Sequence, residues 1–238
     1  MSTHSVGPEA HPAQLATTAV SSHWTWLAGG LALAFGVPFL FADVLEINRD
    51  VFYGIYALSV VALFALWSRS TGYDLRAASR RHLLPAVILG LGAAALLAVI
   101  VLQTEDATVR PAGLDLVAAL GWRGIVYGAT DGLLLSVFPI LVVFAALAGV
   151  RQRHRLAGTL AVGMIALVAS LAMTAVYHAG YSDFRSEKIR KPLVGDVVWG
   201  APTLLTLNPI GAPIAHIGLH TSAVLHSYET DTFLPPHR

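Results

Sequence analysis

The chain has 238 residues, of which 55% are hydrophobic and only 12% charged, against about 25% charged residues in an ordinary soluble domain. A formal net charge of +1 gives no basic surface for nucleic acid, and the absence of cysteine excludes disulfides, thiolate metal sites and cysteine nucleophiles. Mean hydropathy is +0.66, which is the composition of an all-α, polytopic integral membrane helix bundle with the lipid bilayer as its main partner.

Residues 1–23 lack Lys and Arg and are rich in Ser, Thr, Ala, Pro and His. They read as a disordered polar tail, without the basic start and early apolar core of a secretory signal. Spanning hydrocarbon takes about 20 mainly apolar residues. Such runs are Trp24 to Ala42, Val51 to Trp67, Leu83 to Leu102, Gly124 to Val150 and Leu156 to Tyr177. Val197 to Leu225 is too long for one plain span, and Asn208 to Pro213, with Pro209, Gly211 and Pro213, should break it. The expectation is about six transmembrane helices in one domain, 24–226, the last preceded by a broken or re-entrant segment. A short polar tail, 227–238, follows.

Arg69, Arg76, Arg80 and Arg81 lie in one loop, and Arg151, Arg153 and Arg155 in another. The positive-inside rule puts both in the cytoplasm. With six spans, both termini are then cytoplasmic in a plasma-membrane protein. The loop from His178 to Asp196 falls outside although it carries Arg185, Lys188, Arg190 and Lys191.

Three of the apolar helices each carry one polar stripe. Tyr127, Thr130 and Asp131 form the first; Ser170, Thr174 and His178 the second; His216 and His220 the third. Residues four apart on a helix share a face. Ionisable groups at membrane depth are costly and by default mark a site, so Asp131, His178, His216 and His220 are the candidate catalytic residues. Each has a plainer reading. Asp131 can pair with Arg123, Ser170 and Thr174 can bond their own helix carbonyls, and Tyr127 can be an interface aromatic. His226 can be a helix–helix hydrogen-bond donor.

Two histidines at i,i+4, a third histidine and a carboxylate are the ligand types of a zinc or other divalent-metal site. The same groups without a metal can activate water as general base and oxyanion stabiliser. The spacing leaves both open.

The order of these motifs resembles the CPBP family of intramembrane proteases, which show Glu-Glu-x-x-x-Arg, then Phe-x-x-x-His, then His-x-x-x-Asn. Thr130-Asp131 stands at the glutamate pair, Thr174 to His178 at the second motif and His216 to His220 at the third. That resemblance implies a membrane hydrolase, active or degenerate, in which Asp131 activates water while His178 and His216 stabilise the oxyanion. The pair His216/His220 with Thr174-x-x-x-His178 also looks like the zinc-dependent membrane hydrolases of the alkaline ceramidase and adiponectin-receptor type. That likeness implies zinc held by His178, His216, His220 and Asp131. Either hydrolase acts on a membrane-embedded peptide or lipid. A third reading, from the costly intramembrane groups alone, is a carrier or binding protein for protons, metal ions or haem.

Overall fold

The structure, a computed structural model, describes residues 12–230 and 233–234. The expected disordered tail lies outside the described residues up to position 11, as do residues 231–232 and 235–238 of the C-terminal tail. The described residues form eight helices. They are α1 (Pro12–Val37, continued by a π-helical stretch Pro38–Val44), α2 (Arg49–Thr71), the short α3 (Leu75–Arg80) and α4 (Leu83–Thr104). Then come α5 (Gly113–Ala146), α6 (Ala148–Ala179), α7 (Arg190–Thr206) and α8 (Gly211–His226). No strand occurs among the described residues, as the composition requires.

Five stretches are long and apolar enough to cross a membrane: Ser22–Val44, Arg49–Thr71, Leu83–Thr104, Gly113–Ala146 and Ala148–Ala179. Their outward faces carry exposed Leu58, Val61, Leu84, Ile88, Leu91, Leu160 and Met164, a surface suited to lipid. The chain is a multi-pass membrane protein.

Helix boundaries follow local chemistry. Pro38 has no N–H to give the preceding turn, and α1 passes into π geometry there. Asn48 caps α2 by accepting from the Asp50 N–H at 3.0 Å, and Gly72 ends it in the left-handed region at φ +69°. Helix α6 kinks at Arg155, just before the apolar run that begins at Leu156.

Helix α5 is the axis of the bundle, with 83% of its apolar window buried against 22 to 39% for the other four spans. One face of α5 is a glycine seam. A Cβ on Gly128 would lie 2.9 Å from the His216 carbonyl oxygen, and one on Gly132 would lie 2.6 Å from the Pro213 Cα. Gly124 meets Thr221 in the same row. Small residues four apart let helix backbones approach closely inside a membrane, and here they seat α8 directly on α5. From its other side α8 presents Gly218 to Ala94 of α4.

The break expected within Val197–Leu225 is the turn at residues 207–210, where Leu207 adopts a left-handed φ of 54°. Asn208 holds it. Its side-chain N–H groups donate to the carbonyls of Ser79 at 3.0 Å and Arg81 at 2.6 Å, and its Oδ1 accepts from the Ile210 N–H at 2.9 Å. The turn therefore sits at the end of the bundle where α4 begins. Helices α7 and α8, of 17 and 16 residues, run from and to the opposite end, where Lys191 bridges Glu105 at 3.3 Å and His226 meets the Glu105 carbonyl at 3.0 Å. At about 1.5 Å per residue each covers roughly 25 Å. The stretch is thus two antiparallel helices, and α7 starts six residues before Asp196, inside the expected loop. The Trp67 indole, near the α2 end, donates to His23, midway along α1, whereas α8 ends beside Glu105 at the opposite end of the bundle.

Of the basic residues between α6 and α7, Arg185 ties helix ends. Arg185 pairs with Asp43 at 2.8 Å and donates to the Ala179 and Gly180 carbonyls.

Candidate functional site

Asp131 ends the α-helical turn Tyr127–Asp131, which lies between two π-helical stretches of α5, Leu120–Val126 and Gly132–Val137. π-Bulges widen the helix and often mark functional positions. Across the glycine seam, α8 presents His216 and His220 on one face. The ligand atoms of Asp131, His216 and His220 all lie within 4.8 Å of one another. Nε2 of His220 is 3.2 Å from Oδ2 of Asp131, yet the two are not aligned as a hydrogen bond.

All three residues are at least 95% buried, but their polar atoms are largely unpaired. Both ring nitrogens of His216, both of His220 and Oδ1 of Asp131 have no hydrogen-bond partner. A buried polar atom left unpaired costs about 1–3 kcal/mol, so so many in one place call for a ligand. Two atoms bound tetrahedrally to zinc, each about 2.0–2.1 Å from it, stand roughly 3.3 Å apart. The observed 3.2 Å between His220 and Asp131 fits that spacing, the three ligand atoms lie within 4.8 Å of one another, and the buried N/O donor types suit a divalent cation.

A cavity of about 370 Å³ opens on the cluster. Its walls are mainly apolar and include Leu97, Ile100, Val194, Val198 and Leu219, with Arg190 and Lys191 also lining it. His178 lines it too, at the end of α6. The His178 Nδ1 lies 2.8 Å from the Thr174 carbonyl. Because a carbonyl only accepts, Nδ1 carries the proton and Nε2 keeps its lone pair. His178 stands outside the trio. Three phenols complete the wall. Tyr181 donates to the Tyr177 hydroxyl at 2.9 Å, and the Tyr177 and Tyr127 hydroxyls are hydrogen-bonded at 2.6 Å. The Tyr127 ring meets His220 edge-on at 4.8 Å.

Comparison with protein-family models, curated proteins and solved structures finds no match to this chain. The site is read from its own chemistry.

The structure thus brings Asp131, His216 and His220 together and sets His178 on the same cavity. The plainer readings divide. Asp131 is not the partner of Arg123, which instead forms a two-point ion pair with Asp50 at 2.9 and 2.8 Å. Tyr127 is buried in the site wall rather than placed at an interface. His226 lies apart, bonded to the Glu105 carbonyl. Ser170 does not bond its own helix. Its hydroxyl lies 3.0 Å from both the Leu135 carbonyl and Asp196, which its one proton can reach in turn or as a forked bond.

Several site residues escaped the sequence reading. The charge pattern of the chain puts Asp196 in a loop, and no spacing signals Trp199, whose ring packs on His216 at 4.5 Å. Tyr177 and Tyr181 are four apart and adjoin His178, a signal that was there to read. So was the Gly124, Gly128, Gly132 repeat in α5.

Proposed function

We propose that this chain is a membrane-embedded hydrolase that works with a divalent metal, zinc in the first instance, held by Asp131, His216 and His220. The observation that carries the reading is the convergence of two buried imidazoles and a carboxylate whose donor atoms have no other partner. A divalent metal in that donor set supplies Lewis acidity toward a carbonyl or a water molecule. Asp131 neutralises part of its charge. His178, fixed by the Thr174 carbonyl, offers its Nε2 lone pair to the cavity as a proton acceptor. The linked phenols of Tyr127, Tyr177 and Tyr181 give a path along which a proton can be passed.

The apolar walls suit a membrane-embedded lipid or peptide substrate, and Arg190 and Lys191 give it a cationic contact. The end bearing Arg76 and Arg153 faces the cytoplasm of a plasma membrane, since those loops resist translocation. The C-terminal end of α8 then faces the other side.

A metal-free reading of the CPBP kind has one observation in its favour: His178 shares the cavity with Asp131, and once it has taken a proton on Nε2 it would donate to an oxyanion there. The experiment is hydrolysis of amide- and ester-linked lipids and of hydrophobic peptides by the protein in nanodiscs. Chelation should stop turnover and zinc restore it. Peptide cleavage that ignores the chelator transfers the assignment to the metal-free reading, and a zinc-loaded protein without hydrolytic activity contradicts both.

A further inference from the structure

Two buried groups near the cluster have no part in the proposed chemistry: the carboxylate of Asp196 and the indole of Trp199, both on α7. They are bonded to each other, the indole N–H donating to Asp196 Oδ1 at 2.9 Å. The same oxygen is reached by the hydroxyls of Ser136 on α5 at 3.2 Å and Ser170 on α6 at 3.0 Å, and the Thr174 hydroxyl of α6 lies beside the carboxylate as well. Asp196 is thus pinned among three helices with no exposed surface.

A glycine seats the other edge of the indole. A Cβ on Gly195 would run into the six-membered part of the Trp199 ring, 2.7 Å from Cη2 and 3.0 Å from Cε3. Only a residue without a side chain lets the ring fold back along its own helix in this way. From there it packs with Leu97 and Val101 of α4 and with Ala215 and Leu219 of α8. Its centroid stands 4.5 Å from that of His216, at an interplanar angle of 50°. A metal-binding imidazole is ordinarily oriented by a hydrogen bond from its second nitrogen to a carboxylate or carbonyl. His216 has no such bond on either nitrogen. Packing must therefore set its ring, and the flat surface against it is Trp199.

We propose that Trp199 is the positioning residue of His216, holding by contact an imidazole that no hydrogen bond orients, and that the role of the buried Asp196 is to hold the indole. The contacts run from Ser136, on the helix of Asp131, through Asp196 and Trp199 to His216. They therefore set one ligand-bearing helix against the other. Ligation by His216 rests on the metal reading above; the placement of its ring does not. Loss of a group that orients a metal ligand typically costs about 10–100-fold in metal affinity.

The test is the cobalt(II) affinity of the full chain in nanodiscs, measured by chelator competition, with the cobalt absorption spectrum as a signature of ligand geometry. Trp199→Phe loses the anchoring N–H, and Gly195→Ala drives the ring from its seat. Each should weaken cobalt binding about tenfold or more and alter the spectrum while a cooperative melting transition remains; Trp199→Phe carries the test where Gly195→Ala does not fold. Asp196→Asn keeps a carbonyl oxygen for the indole and should retain wild-type affinity. Trp67→Phe, which removes another buried indole at the α2 end, should leave cobalt binding unchanged. Wild-type affinity and spectrum in Trp199→Phe, an equal loss in Trp67→Phe, or a loss in Asp196→Asn overturns the proposal. A wild-type protein that takes up no cobalt contradicts the metal reading alone. The positioning is then read from nitrogen-15 spectra of labelled histidine, with the His216 ring assigned by its loss in His216→Gln. That ring should give one sharp signal in wild type and a broadened or split one in Trp199→Phe; an unchanged signal overturns the proposal.

Discussion

Asp131 and Asp196 are both aspartates buried at membrane depth, and their surroundings are opposite. Asp196 is surrounded by donors, with two hydroxyls and an indole on one oxygen, and it does not line the cavity. Asp131 faces two imidazoles that give it no aligned hydrogen bond, and it lines the cavity. Burial is therefore not what marks an active group. The distinguishing feature is the neighbours: one Asp196 oxygen takes three donors, whereas Asp131 faces imidazole nitrogens that have no hydrogen-bond partner, on the wall of a cavity. A carboxylate enclosed by hydroxyls is held in place, while one set among unpaired nitrogens at 3.2 to 4.8 Å is arranged for something that comes from outside.

The largest effects should separate the two carboxylates by function. Asp131→Asn keeps the side-chain shape and removes the charge, so hydrolysis should fall below detection while the melting temperature moves by a few degrees at most. Turnover assays beside a melting curve check this, and full activity in the variant would make Asp131 scaffold. Next comes the seam that brings α8 to Asp131. Gly128→Ala pushes a methyl group to 2.9 Å from the His216 carbonyl oxygen, and such overpacking costs about 1–3 kcal/mol. Stability should drop by that order and metal retention should weaken with it. Gly92→Ala on α4, where nothing lies within 4 Å, should change neither.

At the other carboxylate, Asp196→Asn trades an acceptor for a donor amid donors. Leaving those groups mismatched should cost about 1–3 kcal/mol of stability with the zinc content unchanged. Loss of zinc in that variant would erase the contrast drawn here. Ser136→Ala should be the mildest change. It removes one of three donors at a single oxygen, and intramembrane hydrogen bonds average about 0.6 kcal/mol, so the midpoint should shift by little more than a degree or two.

The fold class and the trio of ligand-type residues were legible because both rest on cost. Long apolar runs need lipid, and an aspartate or histidine inside one needs a reason, so Asp131, His178, His216 and His220 stood out. The packing was less legible. Pro209, Gly211 and Pro213 announced a break, but whether the chain re-enters or crosses twice depends on Asn208 finding the Ser79 and Arg81 carbonyls, a contact about 130 residues away in sequence that no local pattern encodes. Asp196 was hidden by its neighbours: Arg185 to Lys191 reads as a loop, and the helix that begins at Arg190 accommodates Pro192 in its first turn, where a missing N–H does no harm. The pairing of Arg123 with Asp50 released Asp131 from the structural role that sequence proximity offered it.

The account rests most on the trio being a metal site, and metal content tests that directly. Protein purified from zinc-supplemented cells should carry one zinc per chain. His216→Gln and His220→Gln should each reduce this to background while keeping a folded melting transition, because an amide has a similar reach but does not replace an imidazole as a ligand. A wild-type protein that holds no zinc and gains no stability when zinc is added would contradict the central claim, as would variants that retain the metal.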